Sequence, residues 1–353
     1  MAGSAYAAAP LRAGQRGGTA ARHWFGGVLL LACALASPSG AAAQGPALSE
    51  VSDPVGFLQK VQAAARKVDY AGVFTYQQGA SMQSSRVTHM LDGTGERERL
   101  EVLDGSPREF IRHNNTVHCL LPDKKLVIIE QRRIDRFPGL LLGQGDSVAQ
   151  HYTLSTSAQP QRVAGRECRL VEVTPRDSRR YGYRFCVDTQ TNLLIKAQTL
   201  DSRGAVIDQI AFTSLQLAED VNAEQLKTRW DTQGWKVLEV PTHAIDVAGQ
   251  GWRITPPPGF AYTTQISRPM KSGKPVTQMV LTDGLAVISV FIEPFQPAKN
   301  AKLLPKGAVR NGAMNIYGTR IGDHWLTAIG EVPADTLREL AERTEYVPPA
   351  AAQ

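Results

Sequence analysis

The chain has 353 residues and a formal net charge of +6. Three of its arginines, Arg12, Arg16 and Arg22, lie in an N-terminal stretch without acids, so the sequence beyond residue 43 carries only +3. Nucleic-acid binding thereby loses its compositional support, and no zinc-finger spacing, RNA-binding aromatic signature or long Lys/Arg run restores it. A mild affinity for anionic head groups or an acidic protein partner stays compatible with this balance.

Residues 1–43 read as a secretory signal peptide. The arginines precede the apolar run Val28 to Ala36, and the small residues Ala41-Ala42-Ala43 follow it. The run is too short to span a bilayer, which takes about 20 residues. A competing reading makes Leu30-Leu31-Ala32-Cys33 a lipoprotein-type acylation site with Cys33 at the new N-terminus. Export puts the remaining cysteines in an oxidising compartment. There Cys168 and Cys186, on consecutive strands, are expected to form a structural disulfide closing a loop of about 19 residues, worth roughly 3 kcal/mol. Cys119 is left over, and in Val117-His118-Cys119-Leu120-Leu121 it reads as a small buried hydrophobe rather than a reactive thiol.

Next in the chain, Ser52-Asp53-Pro54 opens a helix with a capping residue and a proline at the first helical position. Leu58, Val61, Ala65 and Val68 recur at helical spacing and form one apolar face. Six strands follow, over residues 70–77, 85–91, 98–103, 110–113, 116–121 and 125–131, separated by Gly-, Asn- and Asp-containing turns. Short consecutive strands with tight turns make an antiparallel sheet. The pattern breaks at residues 132–157, where Phe137-Pro138-Gly139-Leu140-Leu141-Leu142-Gly143 sets large apolar side chains among glycines. Such a loop either plugs the open face of the sheet or covers an apolar cavity and moves when a ligand enters. The meander resumes with strands around Leu170 to Val173, Tyr183 to Val187 and Leu193 to Ala197, with turns at residues 188–192 and 201–204.

Residues 229–250 lose periodicity and read as a linker after a first domain at 50–228, whose end carries a short helix at Asn222 to Leu226. A second domain is expected at 251–347, with a short tail at 348–353. Its features are strands at Val276 to Leu281 and Leu285 to Ile292 joined through Thr282-Asp283-Gly284, a second pair at Met314 to Arg320 and Trp325 to Ile329, and a helix from Ala334 to Arg343. The fold class is therefore mainly antiparallel β with a few helices, an α+β chain with a large first sheet and a smaller second sheet carrying one helix.

No catalytic signature is present. The chain has no Gly-x-Ser-x-Gly elbow, His-Glu-x-x-His, Cys-x-x-Cys, phosphate loop or dinucleotide fingerprint, so it reads as not an enzyme and needs no cofactor. His113 and His118 flank a turn, but His118 would pair with Ile111 and no third ligand converges, so no metal site is expected. Glu96 to Arg99 alternates sign at strand spacing and reads as a solvated face. Arg176-Asp177-Ser178-Arg179-Arg180, between the two cysteine-bearing strands, reads as an exposed loop able to meet phosphate or acidic side chains.

In order along both domains, the chain resembles the RseB/MucB family. The likeness is carried by Asp69-Tyr70-Ala71-Gly72-Val73-Phe74-Thr75-Tyr76, Glu98-Arg99-Leu100, Leu103-Asp104-Gly105, Arg108-Glu109 and Tyr181-Gly182-Tyr183-Arg184. In the second domain it is carried by Gly251-Trp252, Pro258-Gly259-Phe260, Thr282-Asp283-Gly284-Leu285, Val290-Phe291-Ile292-Glu293, Gly312-Ala313-Met314-Asn315 and Gly330-Glu331-Val332-Pro333. The resemblance implies a periplasmic negative regulator of the sigma-E envelope-stress response. Its first domain would be similar to the periplasmic lipoprotein carriers, a half-open antiparallel barrel with an apolar interior. Its second would help clamp the periplasmic part of a membrane anti-sigma factor of the RseA/MucA kind and shield it from proteolysis. Lipid A, lipopolysaccharide or another acyl ligand would release it.

For the lipid site the candidates are Phe74 and Tyr76, on one face of their strand, with Leu140, Leu141 and Leu142 over the cavity. For the partner surface they are Trp252, Arg320 and Trp325, side chains of the kind that dominate interfaces, with a core or sheet-face role as the bland alternative. A homo-oligomer is left open. The rival readings are a lipid or lipoprotein carrier, which the second domain argues against, and an exported hydrolase, for which no convergent polar set exists.

Overall fold

The computed structural model describes residues 48–131, 137–139, 146–269, 275–297 and 307–348. The first helix, α1 (Pro54–Lys67), starts where Asp53 accepts a hydrogen bond from the Gly56 amide at 2.9 Å and proline fills the first helical position. It buries Leu58, Val61, Ala64 and Ala65, the face anticipated from spacing, whereas Val68 has left the helix in an extended conformation. The second helix, α2 (Asp146–His151), contributes the fully buried Val148 to the same core. No helix among the described residues is long and apolar enough to cross a membrane.

The first sheet comprises β1 (Leu48–Glu50), β2 (Tyr70–Gln78), β3 (Ser81–Asp92), β4 (Gly95–Val102), β5 (Arg108–His113), β6 (Thr116–Leu121), β7 (Leu126–Gln131) and β8 (Tyr152–Ser157). It continues with β9 (Gln161–Val163), β10 (Arg166–Pro175), β11 (Gly182–Asp188), β12 (Leu194–Leu200), β13 (Val206–Leu217) and β14 (Lys236–Glu239). Their spatial order is β1-β8-β10-β11-β12-β13-β2-β3-β4-β5-β6-β7-β14, with β9 on β10. Two consecutive meanders are thus joined by β13 pairing antiparallel with β2, and the only parallel pair among the described strands is β14 on β7.

Alternation along these strands sends Phe74, Val87, Leu100, Phe110 and Val117 to one face, where they meet α1, Phe137 and the inner residues of β8 and β10 to β13. Cys168 and Cys186 are bonded, with their Cα atoms 5.3 Å apart, and both are buried in this core. In register Cys186 faces Leu170, so the bridge runs diagonally across the β10–β11 hairpin. Cys119 is half-buried against the same core.

The second sheet has the order β15 (His243–Ala244), β17 (Ala261–Pro269), β18 (Pro275–Thr282), β19 (Val287–Pro294), β22 (His324–Gly330), β21 (Met314–Ile321) and β20 (Gly307–Asn311). A short pair, β16 (Trp252–Ile254) and β23 (Thr344–Tyr346), closes the chain on itself. Helix α3 (Ala334–Glu342) lays Leu337, Leu340 and Ala341 on Met279, Ile288, Val290, Leu326 and Ala328. The fold class expected from the sequence is the one observed.

Three segments differ from the sequence reading. Residues 146–157, read as loop, form α2 and β8. Residues 229–250, read as a linker, give one strand to the edge of each sheet, with Val237 and Leu238 exposed on β14. The short helix at 222–226 is a 3-10 turn over Ala223–Leu226 capped by Asn222. The alternating charges of β4 are not a free solvated face either. Arg112 bonds Glu96 at 2.7 Å and Glu98 at 3.0 Å on one side, while Arg99 pairs with Glu109 and, at 3.3 Å, Glu101 on the other. Thr228 donates to Glu109 at 2.6 Å, so the chain after β13 covers that network and leaves Arg99 only 11% exposed.

Candidate functional site

Two regions gather the residues that sequence singled out. The first is the interior of the large sheet. Phe74 lies on the core-facing side of β2, edge-on to Phe137 at 5.5 Å and to Phe212 at 6.0 Å between ring centroids. Phe137 also sits 5.1 Å from Phe212 and is buried, so this loop residue fills the interior between two strands and α1. Tyr76, two residues on and on the same face, packs its ring on the core while its hydroxyl donates to Asp208 at 3.3 Å. Leu140, Leu141 and Leu142 lie outside the described residues.

The second region is the joint between the sheets, built on the β10–β11 loop that sequence read as exposed. Arg180 is fully buried with Asp283, to which its Nε donates at 2.6 Å. Its other nitrogens donate to Asp177 and to the Pro258 carbonyl, and the guanidinium lies 5.1 Å from the Phe260 ring centroid. Five donors in a planar fork allow one arginine to satisfy all these acceptors, which a lysine could not do. Tyr152 donates to the same Asp283 oxygen at 2.8 Å. The other oxygen of Asp283 accepts from the Leu285 and Ala286 amides at 3.0 and 2.8 Å, fixing the β18–β19 turn that drives Leu285 into the first sheet's core.

Burial works against the Arg180 charge, but the Asp283 and Asp177 carboxylates outweigh it and raise its pKa. Burial and the neighbouring Arg180 lower the pKa of His151. Gly259, at φ +82°, fits between His151 and Arg180 because a Cβ there would fall 2.2 Å from His151 Nε2.

Around this centre, Arg179 makes a forked pair with Glu339 at 3.1 and 3.3 Å, and Thr336 donates to the Arg179 carbonyl at 3.0 Å. Asn315 donates to the Tyr181 hydroxyl at 3.0 Å and to the Val332 carbonyl at 2.8 Å. At the far end Asp208 of β13 accepts from the Gly79 amide at 3.2 Å and, across the joint, from the Ala313 amide at 2.9 Å. A cleft of about 520 Å³ opens beside it, lined by Gln77, Gly79, Val206, Asp208, Arg310 and Asn311.

The remaining candidates fall elsewhere. Trp252 is buried between His324 and Tyr346, at 5.0 and 4.7 Å, and belongs to the second core rather than to an open surface. Trp325 is buried too, stacked on Phe295 at 6.2 Å, and its indole N–H has no partner among the described residues. Arg320 is half-exposed, lies 4.2 Å over the same Phe295 ring, and donates to the Gly322 carbonyl at 2.7 Å. The structure therefore brings Arg320 and Trp325 together on one patch and separates Trp252 from them. His118 faces Ile111 as expected, and no cluster among the described residues could hold a metal ion. Sequence reasoning missed Tyr152, Asp283 and Asp208, each a plain strand or turn residue until its partner 100 or more positions away is known.

Residues 53–230 match the family model of the MucB/RseB N-terminal domain, and residues 246–345 match that of the MucB/RseB C-terminal domain. The sigma factor AlgU regulatory protein MucB of Pseudomonas aeruginosa is 29% identical over 319 residues, which span 86% of this chain and 94% of that protein. The sigma-E factor regulatory protein RseB of Escherichia coli is 23% identical over 293 residues, spanning 82% and 89%. A crystal structure of MucB in complex with MucA(peri) has a TM-score of 0.63 at 27% identity, over 84% of this chain and 99% of that one.

Proposed function

The chain belongs to the MucB/RseB family, a family of regulatory binding proteins rather than enzymes, and from that premise we propose that it is an exported regulator binding the periplasmic part of a RseA/MucA-like anti-sigma factor. The observation that carries this reading is the likeness over both domains to a MucB that has been crystallised with the periplasmic part of MucA. The N-terminal leader and the oxidised Cys168–Cys186 pair support a periplasmic location. Bound to its partner, the protein would shield the anti-sigma factor from proteolysis and so keep the stress response off.

The interior around Phe74 and Tyr76 supports a second ligand. Its walls are apolar, and each methylene of an acyl chain buried there contributes about 0.8 kcal/mol. Because Phe137 occupies this space, a lipid A or lipopolysaccharide chain would enter by displacing it. Such a ligand empties the complex only to the extent that it prefers the free protein to the bound one.

Calorimetric titration of the leader-free protein with the periplasmic domain of the anti-sigma factor, repeated with lipid A, tests both parts. Saturable binding that lipid A weakens is expected. Lipid binding without anti-sigma binding would instead assign the protein as a lipid carrier.

A further inference from the structure

The second sheet ends on a free edge. Its last strand, β20, pairs only with β21 among the described strands, and the strand at the opposite edge, β15, is two residues long. The β20–β21 hairpin closes on Asn311 opposite Met314, through a two-residue turn that Gly312 opens at φ +60°. Bonded and non-bonded pairs alternate from that closing pair. Val309 therefore bonds Ile316, while Ala308 and Arg310 turn their N–H and C=O groups away from β21. All three residues are exposed.

Beside this edge lies the cleft of about 520 Å³ at the joint, with Arg310 and Asn311 on one side and Ala80, Val206 and Ile207 of the first domain as an apolar lip on the other. Asn311 fastens the rim by donating to the Gln78 side chain across the joint at 3.2 Å. Asp208 is buried beneath, its oxygens taken by the Gly79 and Ala313 amides and the Tyr76 hydroxyl. Arg310 donates from Nε to the Gly312 carbonyl at 2.9 Å, which leaves its two terminal nitrogens without a partner among the described residues. Its charge acts on Asp208 without an ion pair between them. One cation without a counter-charge thus stands where unpaired backbone groups meet an apolar lip.

We propose that this cleft is a peptide-binding site: an extended segment of a partner polypeptide adds to β20 as a further strand and sets an acidic side chain against Arg310. The edge offers two N–H and two C=O groups in strand register, a pattern that a peptide backbone matches and a small anion does not. The planar guanidinium takes a carboxylate through parallel bonds and so selects the acidic residue. Side chains two positions away share its face and meet the lip of Ala80, Val206 and Ile207. A second copy of this chain is the rival occupant, since free edges also pair with each other. Charge argues against it, because β20 carries Arg310 and no acidic side chain, so pairing two copies would leave both guanidiniums unmatched. The site stands on the edge and the cleft alone and does not depend on anti-sigma binding.

The test is fluorescence anisotropy of the full leader-free chain with a short labelled peptide of alternating valine and serine around a central glutamate, and with its lysine counterpart. The wild type should bind the glutamate peptide saturably and the lysine peptide about tenfold more weakly, the size expected for one charge-assisted contact. Arg310→Glu should reverse that preference. Ala308→Pro removes one outward N–H and no bond to β21, so it should weaken both peptides while the denaturation midpoint stays near that of the wild type. Equal binding of the two peptides, binding unchanged in either variant, or no saturable binding would overturn the proposal. So would a wild-type dimer in sedimentation that Ala308→Pro dissociates, which would assign the edge to a second copy.

Discussion

The interior of the first sheet and the joint between the sheets are both buried, but they are held by different forces. In the interior, Phe74, Phe137, Phe212, Tyr183 and Phe185 exclude water with little directional demand. At the joint, Arg180, Asp283, Tyr152, Asp208 and Asn315 are polar groups whose bonds have defined lengths and angles. Apolar burial supplies most of the stability and tolerates rearrangement when volume is kept. A buried ion pair contributes little net stability, because desolvation offsets its attraction, but it admits few alternative geometries. The first region is thus suited to hold an adaptable apolar ligand, and the second to set the angle at which two domains meet a partner.

That contrast can be broken most severely at Arg180. Replacing it by alanine leaves the fully buried Asp283, and the partly exposed Asp177, without their cation and should cost about 4 kcal/mol, read by chemical denaturation, with the domains separating in X-ray scattering. Phe137→Ala acts on the other region. It should cost about 3 kcal/mol and open a cavity between Phe74 and Phe212, so binding of a fluorescent acyl probe is expected to rise while the radius of gyration stays unchanged. A variant with serine at both Cys168 and Cys186 should lose roughly 3 kcal/mol, with the melting temperature falling to the same value that reductant produces in the wild type. The mildest change is Arg179→Ala. Its pair with Glu339 is partly exposed, so a loss below about 1 kcal/mol is expected, decreasing further in high salt.

The same contrast explains what the sequence made legible. Helix α1 and strands β2 to β7 could be read because capping at Asp53, alternation and turn residues are local signals. Phe74 and Tyr76 could be placed on one face by the period of two. Strand β17, Ala261–Pro269, was missed because its nearly continuous partial exposure gives no alternation to read. The charged loop at 176–180 was read as solvent-facing because arginine usually is, and nothing near it in sequence announces a buried partner. Asp283 looked like an ordinary hairpin residue for the same reason. Adjacent arginines at a strand end, followed at once by the aromatic Tyr181, were the one available sign that the loop is packed against something.

The central claim is that this chain recognises the periplasmic part of an anti-sigma factor with both domains held in one geometry. Hydrogen–deuterium exchange of the leader-free protein, with and without the partner's periplasmic domain, tests it most directly. The account predicts slowed exchange on segments of both sheets when the partner is present. Unchanged exchange throughout at saturating partner, or protection confined to one sheet, would contradict it.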